Sequence, residues 1–556
     1  MSCVERKHKD GFSFTCYVGD SAVLLAFNLD EDKIGNLAGF AVRCKAPHTE
    51  TYPTDEYWLK NRLSFDRALT AKETLTPEKW TESNKAPFQA FHWVHFPNAG
   101  PGNYTYTASP VYFEKNGDLK LVEGLKLDVD LNYKIFPELA VGFTRGYISS
   151  QAYADKFHNA PIEPKEKSMD FDTKDYVEKY EWLGAHARRI LFDLLKESKA
   201  DDSISLDVFA YDFNEPDIIK ELCTMGPRIR VFMDDSSQHV KEGALELQTQ
   251  KTLKDAGAKV KTGKFGRYAH NKVIIQKKNG APVKVLTGSA NFSVRGLYVQ
   301  ANSVLLFVSP EIAEFYHDAF EQAFKNPEGF KKSEIASRWH GAKIGQGSPV
   351  SVSFAPHTST FSLDRVAEAI ESCRSSLMFA MMQMTGKGPT MDTLKSIAEK
   401  EDLYSLGTIE KRGQLELFKP GRKGRPPVTS FAYLKKDAPK PFQNEISGGR
   451  GQVIHHKFVV CDFNGKAPVA FCGSSNLAEG GEKSNGDNLI AIQDSDVATY
   501  YAIEAIRLYD HYRFRTKHEE STSRKPLTLE SNDKWAKRYY DSKDIKFKER
   551  ELLSMQ

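Results

Sequence analysis

Paired cysteines are missing from this chain. The seven present, at 3, 16, 44, 223, 373, 461 and 472, are scattered, odd in number and never in a C-x-x-C pair. That argues against a disulfide framework or a zinc site and makes a reducing, cytoplasmic compartment the expectation. Missing too is any run of about 18 uninterrupted apolar residues, the length that spans a bilayer, so contact with a membrane is expected to be peripheral. The first twenty residues carry charges from position 5 onward and hold no apolar stretch of signal-peptide length, and no secretion signal is read there. Nor does one sign of charge dominate. A net charge of +3 decides nothing about a polyanionic partner, on which only local patches can speak.

What is present is enough apolar material for several cores. Forty percent hydrophobic and 12% aromatic residues over 556 positions fit a globular chain of two to four domains. Residues 12–147 read as short runs with a period near two, at 12–17, 22–29, 39–44, 91–96, 104–106 and 125–131, punctuated by Gly, Pro, Asn and Asp. This predicts an antiparallel β-sandwich over 1–150. Its stretch 102–106 resembles a late strand of an immunoglobulin-like or fibronectin-like module. His92, Trp93 and His95 alternate as core and rim residues do, and the unit reads as a packing domain or a surface that recruits a partner. Residues 151–171 read as a linker.

From 172 onward strands alternate with helices, as in a layered α/β domain. One unit is expected over 172–326 and, after a polar, Gly-rich connector at 327–349, a second over 350–516, with a charged tail at 517–556 in which Trp535, Tyr539 and Tyr540 dock a last helix. The irregular part of the second unit includes Lys419-Pro420-Gly421-Arg422-Lys423-Gly424-Arg425-Pro426-Pro427, which resembles a minor-groove-binding AT-hook and also fits a solvated loop of turn formers.

Each unit carries the same residues in the same register. His270 and Lys272 are followed by Gly288-Ser289-Ala290-Asn291, and His455 and Lys457 by Gly473-Ser474-Ser475-Asn476. The step from His to Gly is 18 in both copies, and from His to the last Asn 21. A single G-S-x-N is expected on the order of once per several thousand positions, so two copies in register with an H-x-K are not chance. On a strand, His and Lys two apart leave the same face. An imidazole, an ammonium and neutral donors from the hydroxyl and the carboxamide are what a phosphodiester site requires.

On these residues the chain resembles the phospholipase D superfamily, whose signature H-x-K-x4-D followed by G-S-x-N is usually duplicated. The second copy is complete, with Asp462 as the motif acid; the first has Lys277 in that place. Lying farther along the strand, Lys277 is expected to be remote from the site, and Lys277→Asp to change activity little. The resemblance implies two α/β halves meeting at one cleft and a covalent phosphohistidine released by water or an alcohol, with no metal or cofactor. It also implies an acid beyond G-S-x-N that orients a histidine. Asp487 fits that place in the second copy, whereas Ala301 stands there in the first. The expectation is that His455, oriented by Asp487, attacks while His270 protonates the leaving oxygen. Lys272, Lys457, Asn291 and Asn476 would then hold the phosphate, and Ser289, Ser474, Gly288 and Gly473 would complete its cradle.

Three functions fit. The first is a phospholipase D-like phosphoric diester hydrolase, with phospholipid slightly preferred because no aromatic and basic track marks a nucleic-acid path. The second is a DNA or RNA nuclease, which the basic run Lys259, Lys261, Lys264 and Arg267 beside His270 would serve. The third is a non-catalytic phosphate-binding or interaction protein.

Overall fold

The computed structural model describes residues 3–48, 56–72, 77–97, 100–131, 135–146, 153, 156–166, 168–397, 400, 403–411, 414–418, 429–432 and 453–554. Residues 419–427, the basic Gly- and Pro-rich stretch, lie outside them.

The N-terminal alternation folds as it reads. In Leu125–Leu131 the four apolar residues are buried while Lys126 and Asp128 are exposed. One antiparallel sheet runs Val4–Lys9, Phe12–Gly19, Ala22–Leu29, His92–His95. The other runs Leu119–Leu121, Gly102–Phe113, Leu37–Lys45, Glu56–Trp58, with Leu125–Leu131 also paired to Gly102–Phe113. Aromatic side chains join them: Phe27 stacks on Phe40 at 4.6 Å, and Trp535 meets Phe40 edge-on at 6.4 Å. The Trp535 indole N–H donates to Leu37 O at 3.0 Å, so the tail caps this core. Burying each such ring stabilises by roughly 2 kcal/mol.

Two details differ from the sequence reading. Leu139–Phe143, placed by its number inside the sandwich, pairs antiparallel with Ser303–Phe307 and forms the edge of the first α/β sheet. Alternation specifies which side chains are buried but not which strand is the neighbour. Within the stretch read as a linker, Ile162 is fully buried and its carbonyl accepts from the Tyr180 hydroxyl at 2.7 Å.

The α/β part is a mixed fold of two related sheets. In the first, the order is Leu139–Phe143, Ser303–Phe307, Ala281–Gly288, Val273–Lys278, Ile204–Ala210, Ile229–Asp234, Lys259–Gly263. In the second, five neighbours repeat that order: Asn488–Ile492, Val469–Gly473, Lys457–Cys461, Ser376–Met381, Tyr404–Lys411. In both, the strand that follows the H-x-K lies between the G-S-x-N strand and an antiparallel partner, Ile204–Ala210 in the first half and Ser376–Met381 in the second. Helix Pro310–Lys325, which is amphipathic, and helix Ser495–Glu520, which is buried throughout 497–509, follow in matching positions.

The halves clasp each other reciprocally. Tyr268, just before the first H-x-K, forms a parallel bridge with Asn485, beyond the second G-S-x-N; Ile454, just before the second H-x-K, does so with Ala301, beyond the first G-S-x-N. Gly486 N donates to Tyr268 O at 2.7 Å, and His455 N donates to Ala301 O at 3.1 Å. Residues almost two hundred positions apart are thereby brought to one seam.

Candidate active site

The seam holds both motifs. His270 and Lys272 lie in an extended segment that leads into Val273–Lys278, and His455 leads into Lys457–Cys461. Both strands therefore begin later than the sequence suggests, because the lead-in backbone pairs with the other half instead. Gly288 and Gly473 have φ of +141° and +131°, and a Cβ there would meet Ser303 O at 2.2 Å and Asn488 O at 2.6 Å. Only glycine permits that approach.

The serines act differently from the expected cradle. Ser289 donates to Asn302 Oδ1 at 2.8 Å and accepts from Ser303 N at 3.0 Å. Ser474 accepts from Asn488 N at 2.9 Å. Both are fully buried, so these hydroxyls pin the following strand rather than face the cleft, and the glycines serve the same close packing.

The acid–histidine pairing is crossed. His270 Nδ1 meets Asp487 Oδ1 at 2.6 Å, which corrects the expectation that Asp487 orients His455. His455 Nδ1 instead meets Asn302 Oδ1 at 2.9 Å and Ser289 O at 3.2 Å. Each histidine takes its orienting group from the opposite half because each lead-in pairs with the segment beyond the other half's G-S-x-N. The first half offers Ala301 where the second offers Asp487, and Asn302, the next residue, supplies a neutral carboxamide in place of a carboxylate. In both pairs an Nδ1–H donor leaves Nε2 with its lone pair.

Four basic groups share this buried volume. Lys272 and Lys457 are each 1% exposed. Lys272 Nζ donates to His270 O and lies 4.9 Å from the Tyr211 ring. Lys457 Nζ donates to His455 O at 2.8 Å and lies 3.2 Å from His455 Nδ1. Burial lowers the Lys272 ammonium to about 8. Burial and then the Lys272 charge hold Lys457 well below the usual lysine range. Burial, followed by the Lys457 charge, pushes His455 far down. Burial and Lys272 also lower His270, against the pull of Asp487. Such a site favours a bound anion, whose charge would relieve the crowding.

Several partners were not singled out in the sequence. Asn291 Nδ2 donates to Asp212 Oδ2 at 2.5 Å, and Asp212 in turn meets His239 Nε2 at 3.0 Å. His239 Nδ1 meets Asp234 Oδ1 at 2.8 Å. Burial alone would lower His239, but the two carboxylates hold it up at about 9. Asp212, His239 and Glu246 could by position hold a metal ion; as an imidazolium bridging two carboxylates, His239 has no lone pair to give one. The Oδ1 atoms of Asn291 and Asn476 have no hydrogen-bond partner among the described residues. Glu410 Oε2 accepts from Val453 N and from Ile454 N, the latter at 2.6 Å, and so holds the lead-in to His455. Burial pushes its carboxyl up to about 8. The match of Ala301-Asn302 to Asp487-Asn488 was a usable signal for Asn302. For Glu410 no local pattern exists.

The motif acid positions lie away from the site. Asp462 Oδ1 accepts from Arg374 N at 2.7 Å and Ser375 N at 2.8 Å, tying off the turn before Ser376–Met381. Lys277 instead forms a buried ion pair with Asp207 at 2.7 Å, an acid that also takes Arg230 at 2.7 Å. Of the basic run, Lys261 donates to Phe324 O at 2.5 Å and Lys259 lies over the Phe324 ring at 5.4 Å. Both pack against the helix end, away from the cleft.

Residues 191–324 match the family described as cardiolipin synthase, PLD-like domain. Polyphosphate kinase from Porphyromonas gingivalis is similar over 62% of this chain at 12% identity and a TM-score of 0.38, and the match spans 47% of the kinase's length. Phosphatidylserine synthase from Haemophilus influenzae Rd KW20 is similar over 67% of this chain and 93% of its own, at 13% identity and a TM-score of 0.40. Nuc from Salmonella typhimurium, a phospholipase D family member, is similar over 24% of this chain and 86% of its own, at 21% identity and a TM-score of 0.21. No curated protein matches the chain in sequence.

Proposed function

From the match of residues 191–324 to a PLD-like domain family and the duplicated H-x-K and G-S-x-N sets, we propose that the chain is a phospholipase D superfamily phosphodiesterase that works through a covalent phosphohistidine on His270, with His455 as its acid and base. The observation that supports this most directly is the 2.6 Å bond between His270 Nδ1 and Asp487. A carboxylate on one ring nitrogen fixes the tautomer and raises the basicity of the other, so the better nucleophile is His270, the reverse of the sequence expectation.

In the first step His270 Nε2 attacks phosphorus and forms a P–N bond. The opposite P–O bond breaks, and the departing oxygen takes a proton from His455 Nε2. Lys272, Lys457, Asn291 and Asn476 hold the nonbridging oxygens as charge shifts onto them. Burial and, after it, the Lys457 and Lys272 charges keep His455 neutral in the free site; the bound phosphodiester offsets those charges, so the acid becomes charged when substrate is present. In the second step His455 takes a proton from water or an alcohol, whose oxygen displaces His270 and breaks the P–N bond. Hydrolysis and transfer differ only in that acceptor.

Trapping tests this. Quenching in alkaline denaturant, which preserves a P–N bond, during turnover of a bis-aryl phosphate, followed by peptide mapping at basic pH, is expected to find the aryl phosphoryl group on His270; His455→Ala should accumulate the adduct and His270→Ala should lose it. Phosphate on His455, or none in either protein, overturns the assignment.

A further inference from the structure

A groove of about 590 Å³ runs from Asn476 along the seam between the halves. Its walls are Gln383 and residues 385–387, residues 478–481 with Lys483 and Ser484, and, from the other half, Arg267. These walls are tied by their backbones: Glu479 N donates to Lys387 O at 2.9 Å, and Arg267 N donates to Ser484 O at 2.8 Å. Three cations line the groove, Arg267, Lys387 and Lys483, against one carboxylate, Glu479, which pairs with Lys483 at 2.5 Å. Arg267 and Lys387 are exposed, and no leucine, isoleucine, valine or aromatic side chain is among the described lining residues. An acyl chain would find no large aliphatic or aromatic side chain there, whereas an anionic chain would find two exposed cations, Arg267 and Lys387, that form no ion pair among the described residues.

The groove also connects to the reacting imidazole through rings. The Arg267 guanidinium lies 5.2 Å from the Tyr268 ring centre. Tyr268 meets Tyr211 edge-on at 5.7 Å, and Tyr211 meets His270 at 4.9 Å. Tyr268 itself is only partly buried. Cations that follow a backbone, beside an aromatic face on which a base can stack, are the means by which single strands are held without sequence preference.

We propose that this groove is a subsite for a single-stranded nucleic acid. Lys387 and Arg267 take the phosphate next to the scissile one, Lys483 joins them on release from Glu479, and Tyr268 with Arg267 receives a base. The inference rests on the phosphodiesterase reading of His270 and His455 and names that site's substrate class.

The test compares substrates with and without a neighbouring phosphate. Wild type, Lys387→Ala, Arg267→Ala and the double variant are assayed with bis(4-nitrophenyl) phosphate, a short single-stranded oligonucleotide and phosphatidylcholine vesicles. The ratio of kcat/KM for the oligonucleotide to that for the bis-aryl ester is expected to fall about tenfold for each cation removed, carried by KM, and the salt dependence of that KM to weaken in the double variant. A ratio that stays constant, or vesicles preferred to the oligonucleotide by the wild type, overturns the proposal. Should the wild type turn over nothing and form no phosphoenzyme, the phosphodiesterase reading fails while the groove stays testable. Anisotropy of a labelled single strand would then show weaker binding to Lys387→Glu if the subsite exists and equal binding if it does not.

Discussion

Asp487 and His270 stand 217 residues apart and share a 2.6 Å hydrogen bond. Every step assigned to His270 depends on this bond, because the acid both selects the tautomer and stabilises the positive ring that forms on attack. Asp487→Asn keeps the shape but removes the charge and allows the wrong tautomer. It is expected to lower kcat by about 10²- to 10⁴-fold with little change in thermal stability, measured by single-turnover kinetics and calorimetry. Activity within a few-fold of wild type would show that the pair does not act in the reaction.

Lys277 was expected from its position to accept the signature aspartate without consequence. The structure instead places it against Asp207, which is fully buried, with Arg230 and His317 also beside that acid. In Lys277→Asp a second carboxylate would face Asp207 in place of its cation. Breaking a buried pair in this way is expected to cost about 3–5 kcal/mol, read from urea denaturation, while Lys277→Arg should cost much less. Equal stability of Lys277→Asp and wild type would refute this account.

Anion binding should be linked to proton uptake. Lys272, lowered to about 8 by burial, and Lys457 and His455, lowered further, are in part unprotonated when the site is free. A bound anion raises all of these pKa values, so protons must enter with it. Vanadate affinity is therefore expected to fall as pH rises through about 8, and calorimetry in buffers of different ionisation enthalpy should show net proton uptake. Proton release would contradict the charge arrangement described.

Glu410 should matter although it touches neither motif side chain. Its carboxyl accepts the backbone N–H groups of Val453 and Ile454, immediately before His455. Glu410→Ala leaves two buried donors without that acceptor, which is expected to cost about 2–4 kcal/mol and to lower kcat more than it raises KM. Glu410→Gln, which keeps an acceptor oxygen, should recover most of both. If the two variants behave alike, the carboxyl is not what holds the lead-in.

Much of the secondary structure was legible because it depends on local pattern. Ala22–Leu29 and Leu125–Leu131 have the bounds their apolar periodicity indicates. Val4–Lys9 was not read as a strand, since five of its six residues are exposed and it lies at a sheet edge with no apolar alternation to show. The late start of the motif strands was likewise hidden, because the hydrogen bonds of each lead-in go to the other half.

The sequence by itself determined that two H-x-K and G-S-x-N sets stand in equal register, each built on adjacent strands where short loops leave the chain little choice. Only the tertiary structure decided who pairs with whom. Asp487 follows His455 by 32 positions in the chain yet bonds His270, and Asn302 bonds His455. The exchange arises because the halves meet lead-in to turn across the seam. Spacing within one repeat carries no information about that contact.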